Sequence, residues 1–180
     1  HLPIAVTGGG SGTGVASLIN GTADIAQCSR DMDEKEIKMA RRKGIEPIKF
    51  HVANDGITIV VNPSNPINKL TIRQLSDIFT GKIKSWKDLG GKDLKIVALS
   101  RERNSGTHIF FLEKVVKLGN KKNINEFATD VLMMPSSQTI VEEIRANPSA
   151  VGYIGLGYLT ADQKAVAIAK DESFAYVLPT

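Results

Sequence analysis

The sequence predicts an α/β protein with largely parallel sheets, arranged as two lobes. Short β-branched runs alternate with amphipathic helical stretches along the 180 residues, the pattern of strand–helix–strand units. Helix starts carry capping residues, and helix ends carry glycine. The alternation is interrupted at Pro63-Ser64-Asn65-Pro66-Ile67-Asn68, a cluster that breaks regular structure and reads as a linker. Hydrophobic residues make up 42% and charged residues 23%, which excludes intrinsic disorder and a collagen-like fibre. No apolar run approaches the roughly 20 residues needed to span a bilayer.

Taken in order, Pro3 to Thr7 reads as a strand and Gly8 to Gly14 as a glycine-rich loop. Val15 to Asn20 reads as a short helix stopped by Gly21. Ala23 to Cys28 is the next expected strand. Asp33 and Glu36 have capping-box spacing ahead of Ile37, Met39 and Ala40, and Gly44 closes that helix. Ile48 to Ala53 and Ile57 to Asn62 read as strands flanking Asn54-Asp55-Gly56, a turn signal. Thr71 and Gln74 open a helix whose apolar stripe is Leu75, Ile78 and Phe79, ended by Gly81. A strand over Leu94 to Leu99, a loop over Arg101 to Gly106 and a helix over Thr107 to Leu118 follow. The remaining expected elements are strands Val131 to Met134, Val151 to Ile154, Ala165 to Ala169 and Phe174 to Leu178, with a helix over Ser137 to Ala146. The linker then divides the chain into a first lobe over 1–62, a second lobe over 63–150, and a return to the first lobe over 151–180.

Cys28 is the only cysteine, so no intrachain disulfide can form and a Cys-based zinc site is not expected. The histidines, His1, His51 and His108, are scattered, and neither a metal nor a cofactor is expected. The net charge is +4, modest and spread along the chain. With only 6% aromatics it does not resemble a nucleic-acid surface, but it suits a small anionic ligand. The chain opens on His1-Leu2-Pro3 without an initiator Met, which reads as a processed or trimmed chain or a piece of a longer one.

Two loops carry the candidate chemistry. Gly8-Gly9-Gly10-Ser11-Gly12-Thr13-Gly14 and Arg101-Glu102-Arg103-Asn104-Ser105-Gly106-Thr107 each join an expected strand to an expected helix, and each contains Ser-Gly-Thr. The first turn of a helix has amides without internal partners, and its dipole adds positive potential. Glycine allows close backbone approach, and hydroxyls add donors. Such a loop suits phosphate, sulfate or carboxylate. The same residues also make ordinary helix caps; the repetition at two strand-to-helix turns favours binding. The spacing fits neither a dinucleotide fingerprint nor a phosphate-binding Walker loop nor a hydrolase elbow, and no catalytic residue is assigned. His108 falls inside the expected helix, so a Ser105–His108 nucleophile pair is not expected. Arg30 and Arg101 each follow an expected strand end, where an arginine can hold an oxyanion by two parallel hydrogen bonds. Asp24 and Asp55 near the same edge read as turn formers or arginine partners.

The ordered set of these segments resembles the phosphate-binding proteins of bacterial phosphate ABC transporters. It comprises the glycine-rich loop, Ala23-Asp24-Ile25-Ala26, Ser29-Arg30, Asp55-Gly56-Ile57, and Val60-Val61-Asn62-Pro63. It continues with Ile78-Phe79-Thr80-Gly81-Lys82-Ile83, Ser85-Trp86, Ser100-Arg101-Glu102, Ser105-Gly106-Thr107 and Val151-Gly152-Tyr153. The resemblance implies a type 2 periplasmic-binding-protein fold, two α/β lobes with a ligand cleft between them, and uptake of inorganic phosphate without catalysis. Carried over by motif, Ser11, Gly12 and Thr13 would bind from the first lobe with Ser29 and Arg30. Arg101, Ser105, Gly106 and Thr107 would bind from the second. Arg30 stands where some members place an Asp that accepts the phosphate proton, so discrimination against sulfate is open. The implied partner is an ABC transporter membrane permease, and the implied location is periplasmic or extracytoplasmic, including a cell-surface lipoprotein. The usual first strand, loop and helix and the usual last elements of the first lobe do not appear, so the first lobe is expected to be incomplete, with homodimerisation through it as one consequence. An extracytoplasmic phosphate sensor and a binder of another tetrahedral oxyanion such as sulfate are the alternatives.

Overall fold

Asp33, Thr71 and Ser136 each open a helix by accepting a hydrogen bond from a backbone amide of its first turn. At Asp33 and Thr71 the bond is reciprocated, with the side chains of Glu36 and Gln74 reaching back to the cap amide. These local signals account for α2, Glu34–Arg42, α3, Ile72–Phe79, and α5, Ser137–Ala146. The coordinates are a computed structural model describing residues 3–179; His1 lies outside the described residues. The chain divides into two compact units, His1–Ala53 with Asn104–Gly106, and Asn54–Arg103 with Thr107–Thr180.

The smaller unit contains α1, Ser11–Ile19, and α2. Val15, Ile19 and Ala40 are buried between them, with Cys28, Met32 and Ile45 packed at the margin. The three strands expected at 3–7, 23–28 and 48–53 do not form. Those segments are free of regular structure, and their apolar side chains are open to solvent: Val6 is 88% exposed, Ile25 87% and Val52 89%. A β-branched run becomes a strand only when a neighbour accepts its backbone hydrogen bonds, and these runs have no ladder partner.

The larger unit is built on a five-stranded sheet ordered β4-β3-β5-β1-β6. Its strands are β1, Ile57–Val61, β3, Val97–Arg101, β4, Leu132–Met134, β5, Ala150–Gly155, and β6, Lys164–Ala165. β3 runs parallel to β4 and β5, but β1 pairs antiparallel with β5 and β6. The sheet is therefore mixed, not largely parallel. Residues 151–180, expected to return to the first lobe, are built into this unit instead. β5 is its middle strand, bonded along both edges, with Leu99 opposite Gly152 and Val61 opposite Val151. β2, Lys69–Thr71, falls at the end of the linker cluster and pairs in parallel with β7, Ala167–Ala169. The strand expected over 174–178 is reduced to one bridge between Ile168 and Val177.

Both faces of the larger sheet are covered, which explains why β1 is buried on both sides from Thr58 to Val61. Ile59, Val61, Ala98, Val151 and Tyr153 face one core with Phe79, Trp86, Phe111 and Val115. Val60, Leu99 and Ile154 face the other with Ile140, Val141 and Ile144 of α5. α5 lies so close to β5 that a Cβ on Gly152 would sit 2.6 Å from Ile140 Cγ2. The helix after the second Ser-Gly-Thr is α4, Gly106–Phe111, which passes into a π-helical turn over Leu112–Val116.

Candidate functional site

In the smaller unit the two Ser-Gly-Thr loops meet. α1 begins at Ser11, after Gly10, whose own side offers no side-chain cap. Asn104 fills that role from the second loop. Its carbonyl accepts the Gly12 amide at 3.0 Å, and its side-chain amide donates to Thr13 Oγ1 at 3.3 Å. The approach requires glycine, since a Cβ on Gly10 would lie 2.9 Å from the Asn104 carbonyl oxygen. The Thr13 amide bonds the Gly10 carbonyl at 2.9 Å. The amides of Gly12 and Thr13 thus have protein partners.

The hydroxyls gather beside this contact. The Ser29 amide donates to Ser11 Oγ at 3.2 Å, and the two serine hydroxyls are 3.3 Å apart. Gly106 lies against both: a Cβ there would meet Ser29 Oγ at 2.3 Å and Ser11 Oγ at 2.5 Å. Ser105 beside it is 2% exposed. Ser11 and Ser29 therefore meet Gly106, distant from both in sequence, in one small cluster, with Ser105 next to it along the chain. The Cys28 thiol donates to the Ser11 carbonyl, and burial raises its pKa, opposed by the Arg30 charge. A thiol held protonated is a poor nucleophile.

Arg30 does not project a free guanidinium. Both terminal nitrogens fork onto the Glu36 carboxylate at 2.7 and 2.8 Å, and one also donates to the Asp31 carbonyl. The pair is largely shielded, with 17% and 20% of the two side chains exposed. The Arg30 hydrogen bond holds the Glu36 carboxyl below its ordinary value against the opposing effect of burial, with help from the Asp33 amide. Glu36 thus serves the α2 cap and the arginine together.

In the larger unit Arg101 ends β3. Its Nε and one terminal nitrogen fork onto Glu102 at 3.1 and 2.9 Å, and its other terminal nitrogen donates to Ser137 Oγ at 3.2 Å. A further bond reaches the Pro135 carbonyl. Thr107 lies in the first turn of α4. Directly behind Arg101 is a buried polar chain that sequence reasoning missed: Tyr153 Oη to Ser100 Oγ at 2.7 Å, and Ser100 Oγ to His108 Nδ1 at 3.0 Å. The helical spacing of His108 and the strand position of Tyr153 were both visible, but their convergence depends on the β3–β5 register.

Burial drives the His108 pKa down, opposed by a hydrogen bond to the Arg101 backbone. Burial pushes the Tyr153 hydroxyl up to about 12, so it stays protonated. The larger unit also contains an open pocket of about 220 Å³ whose lining includes Ile57, Thr58, Ile59, Val166 and Val177. None of the candidate anion ligands lines it.

Residues 1–179 match the PBP superfamily domain. The chain belongs to this family. As a PBP superfamily domain it is 34% identical, over 98% of its length, to the phosphate-binding protein PstS of Staphylococcus saprophyticus, of which it covers 55%. Among solved structures it is similar to one from Clostridium perfringens that contains bound phosphate. The TM-score is 0.76 at 34% identity, covering 91% of this chain and 63% of that one. An ABC-type phosphate transport receptor from Vibrio cholerae gives a TM-score of 0.67 at 34% identity, covering 93% of this chain and 66% of the other. This PBP superfamily domain spans about half the length of the curated relatives it matches.

Proposed function

We propose that the protein binds inorganic phosphate for uptake through an ABC transporter permease, in the periplasm or at the extracytoplasmic face of the membrane, and catalyses no reaction. The observation that carries this reading is the clustering of the Ser11 and Ser29 hydroxyls against Gly106, in a domain whose relatives are named for phosphate binding. Hydroxyls and amides at the start of a helix stabilise an oxyanion without a metal ion. Ser11, Gly12, Thr13, Ser29, Ser105 and Gly106 are the proposed ligands of the smaller unit. Arg101 and Thr107 are assigned the same role in the larger one. An arriving anion takes over the Gly12 amide from the Asn104 carbonyl. Binding therefore exchanges hydrogen bonds instead of filling unsatisfied ones, and its net gain is modest for each bond.

One observation favours a second reading, a less selective oxyanion binder. The residue after Ser29 is Arg30, whose charge is already matched by Glu36, so this position provides no free carboxylate to accept the proton of hydrogen phosphate. Titration calorimetry with phosphate and with sulfate decides between them. Phosphate binding with no sulfate heat supports the first reading, and equal binding supports the second. A folded protein that binds neither anion overturns both.

A further inference from the structure

We infer that Tyr153, Ser100 and His108 form a positioning device for Arg101, holding the backbone of that residue on its β5 side, where pairing with β5 has ended, while β4 still pairs with it on the other edge through Met134. The ladder between β3 and β5 runs through Val97, Ala98 and Leu99 opposite Ala150, Val151 and Gly152. Past that point the Arg101 amide donates to the Tyr153 hydroxyl at 3.3 Å. Tyr153 Oη bonds Ser100 Oγ, which bonds His108 Nδ1 and reaches the Arg101 carbonyl at 3.2 Å. The imidazole is itself hydrogen-bonded to the Arg101 backbone. Side chains from β5, β3 and α4 therefore grip the peptides on both sides of one Cα.

The grip is rigid because its members are buried and stacked. Ser100 and Tyr153 are 0% exposed and His108 5%. The Tyr153 ring stacks on Phe111 at 3.9 Å, and the imidazole stacks on Phe127 at 4.7 Å. A buried and fully bonded polar chain specifies one geometry, because every alternative leaves a polar atom unpaired. That geometry sets the direction in which the Arg101 guanidinium leaves the strand. The assignment of a ligand-positioning role rests on the proposal that Arg101 contacts phosphate; the mechanical grip does not.

Three variants test it in the full chain: Tyr153→Phe, His108→Phe and His108→Asn. The first two keep the aromatic stacking and remove the polar atoms. Asn keeps a hydrogen-bonding atom near the position of Nδ1. Phosphate affinity is measured by calorimetry, and the exchange rates of the Arg101 and Val61 amides by NMR. Each Phe variant is expected to weaken phosphate binding about fivefold, the worth of roughly one hydrogen bond, and to speed exchange at Arg101 but not at Val61. His108→Asn is expected to restore most of both. Unchanged affinity in a wild type that binds phosphate overturns the positioning role. Should the wild type bind no phosphate, the functional proposal fails and the exchange data still decide the grip. Selective acceleration at Arg101 upholds it, and uniform or absent acceleration overturns it.

Discussion

Gly106 shows how much a single hydrogen atom in place of a methyl can decide. The hydroxyls of Ser11 and Ser29 occupy the space a Cβ would take. Gly106→Ala is expected to leave the fold intact, since two serine rotamers can shift, but to scatter the hydroxyl cluster. Phosphate affinity should fall about tenfold or more, as two charge-assisted hydrogen bonds are lost or misaligned; calorimetry reads this directly. Glu36 gives a second test. Its folded pKa is lowered, first by the Arg30 hydrogen bond, so its stabilisation is present above the ordinary value of 4.5 and is lost as pH falls through the folded value. Glu36→Ala leaves a shielded arginine unmatched and should cost about 1–2 kcal/mol at neutral pH, read from urea midpoints. His108 acts in the same direction at higher pH. Its folded pKa lies below 6.5 because of burial, countered by the Arg101 backbone and by Glu126 and Glu102, while Arg103 reinforces the lowering. Above 6.5 both states are neutral. As pH falls from there the unfolded chain binds the proton first, and stability declines. His108→Asn should flatten that part of the pH–stability curve.

At the level of helices and strands, the close contact of α5 with β5 is the one to probe. Gly152→Ala drives a methyl into Ile140, whose Cγ2 would be 2.6 Å away. The overpacking should cost about 1–3 kcal/mol, seen as a lower denaturation midpoint with little change in its slope. Helices were readable from the sequence wherever the signal was local. Asp33 with Glu36 and Thr71 with Gln74 make the expected capping boxes, and the expected helix over 137–146 matches α5. Strands were readable only where a partner exists. Ile57–Val61 forms, flanked by β5 and β6. The run at 48–53, with Ile48, Phe50 and Val52 in alternation, does not, because pairing is a property of two segments and the pattern of one cannot supply the other. The strand expected over 94–99 forms instead over 97–101; Leu94 and Lys95 serve the 3₁₀ turn at Trp86–Leu89 by a backbone bond to Trp86 and a bridge to Ser85. The loop motifs were equally readable, but not their partners. Glu36 as the counter-charge of Arg30, and Asn104 as the cap of α1, depend on placement in space, whereas Glu102, beside Arg101 in the sequence, could be read as its partner.

For the molecule as a whole, stability is unevenly distributed. The smaller unit buries Val15, Ile19 and Ala40 as its apolar core, whereas the larger one buries both faces of a sheet, with Trp86, Phe79, Phe111 and Tyr153 among its filled positions. Local opening follows apolar burial. Amides of α1 and α2 are therefore expected to exchange with solvent well before those of β1 and β5, and limited proteolysis should cut within 3–53 first. Equal protection in both parts would contradict this.

The middle position of β5 also governs how the polypeptide can be made. Its residues are synthesised long after those of β1, yet Ala150–Gly155 is the strand that joins β3 to β1. As the nascent chain leaves the ribosome, the β-branched stretch at Ile57–Val61 has to wait for roughly ninety further residues, several seconds at ordinary elongation rates. During that interval it is sticky and unpaired, a natural client for a holding chaperone. β1 can join β3 in the sheet only once Val151 is available to pair with Val61.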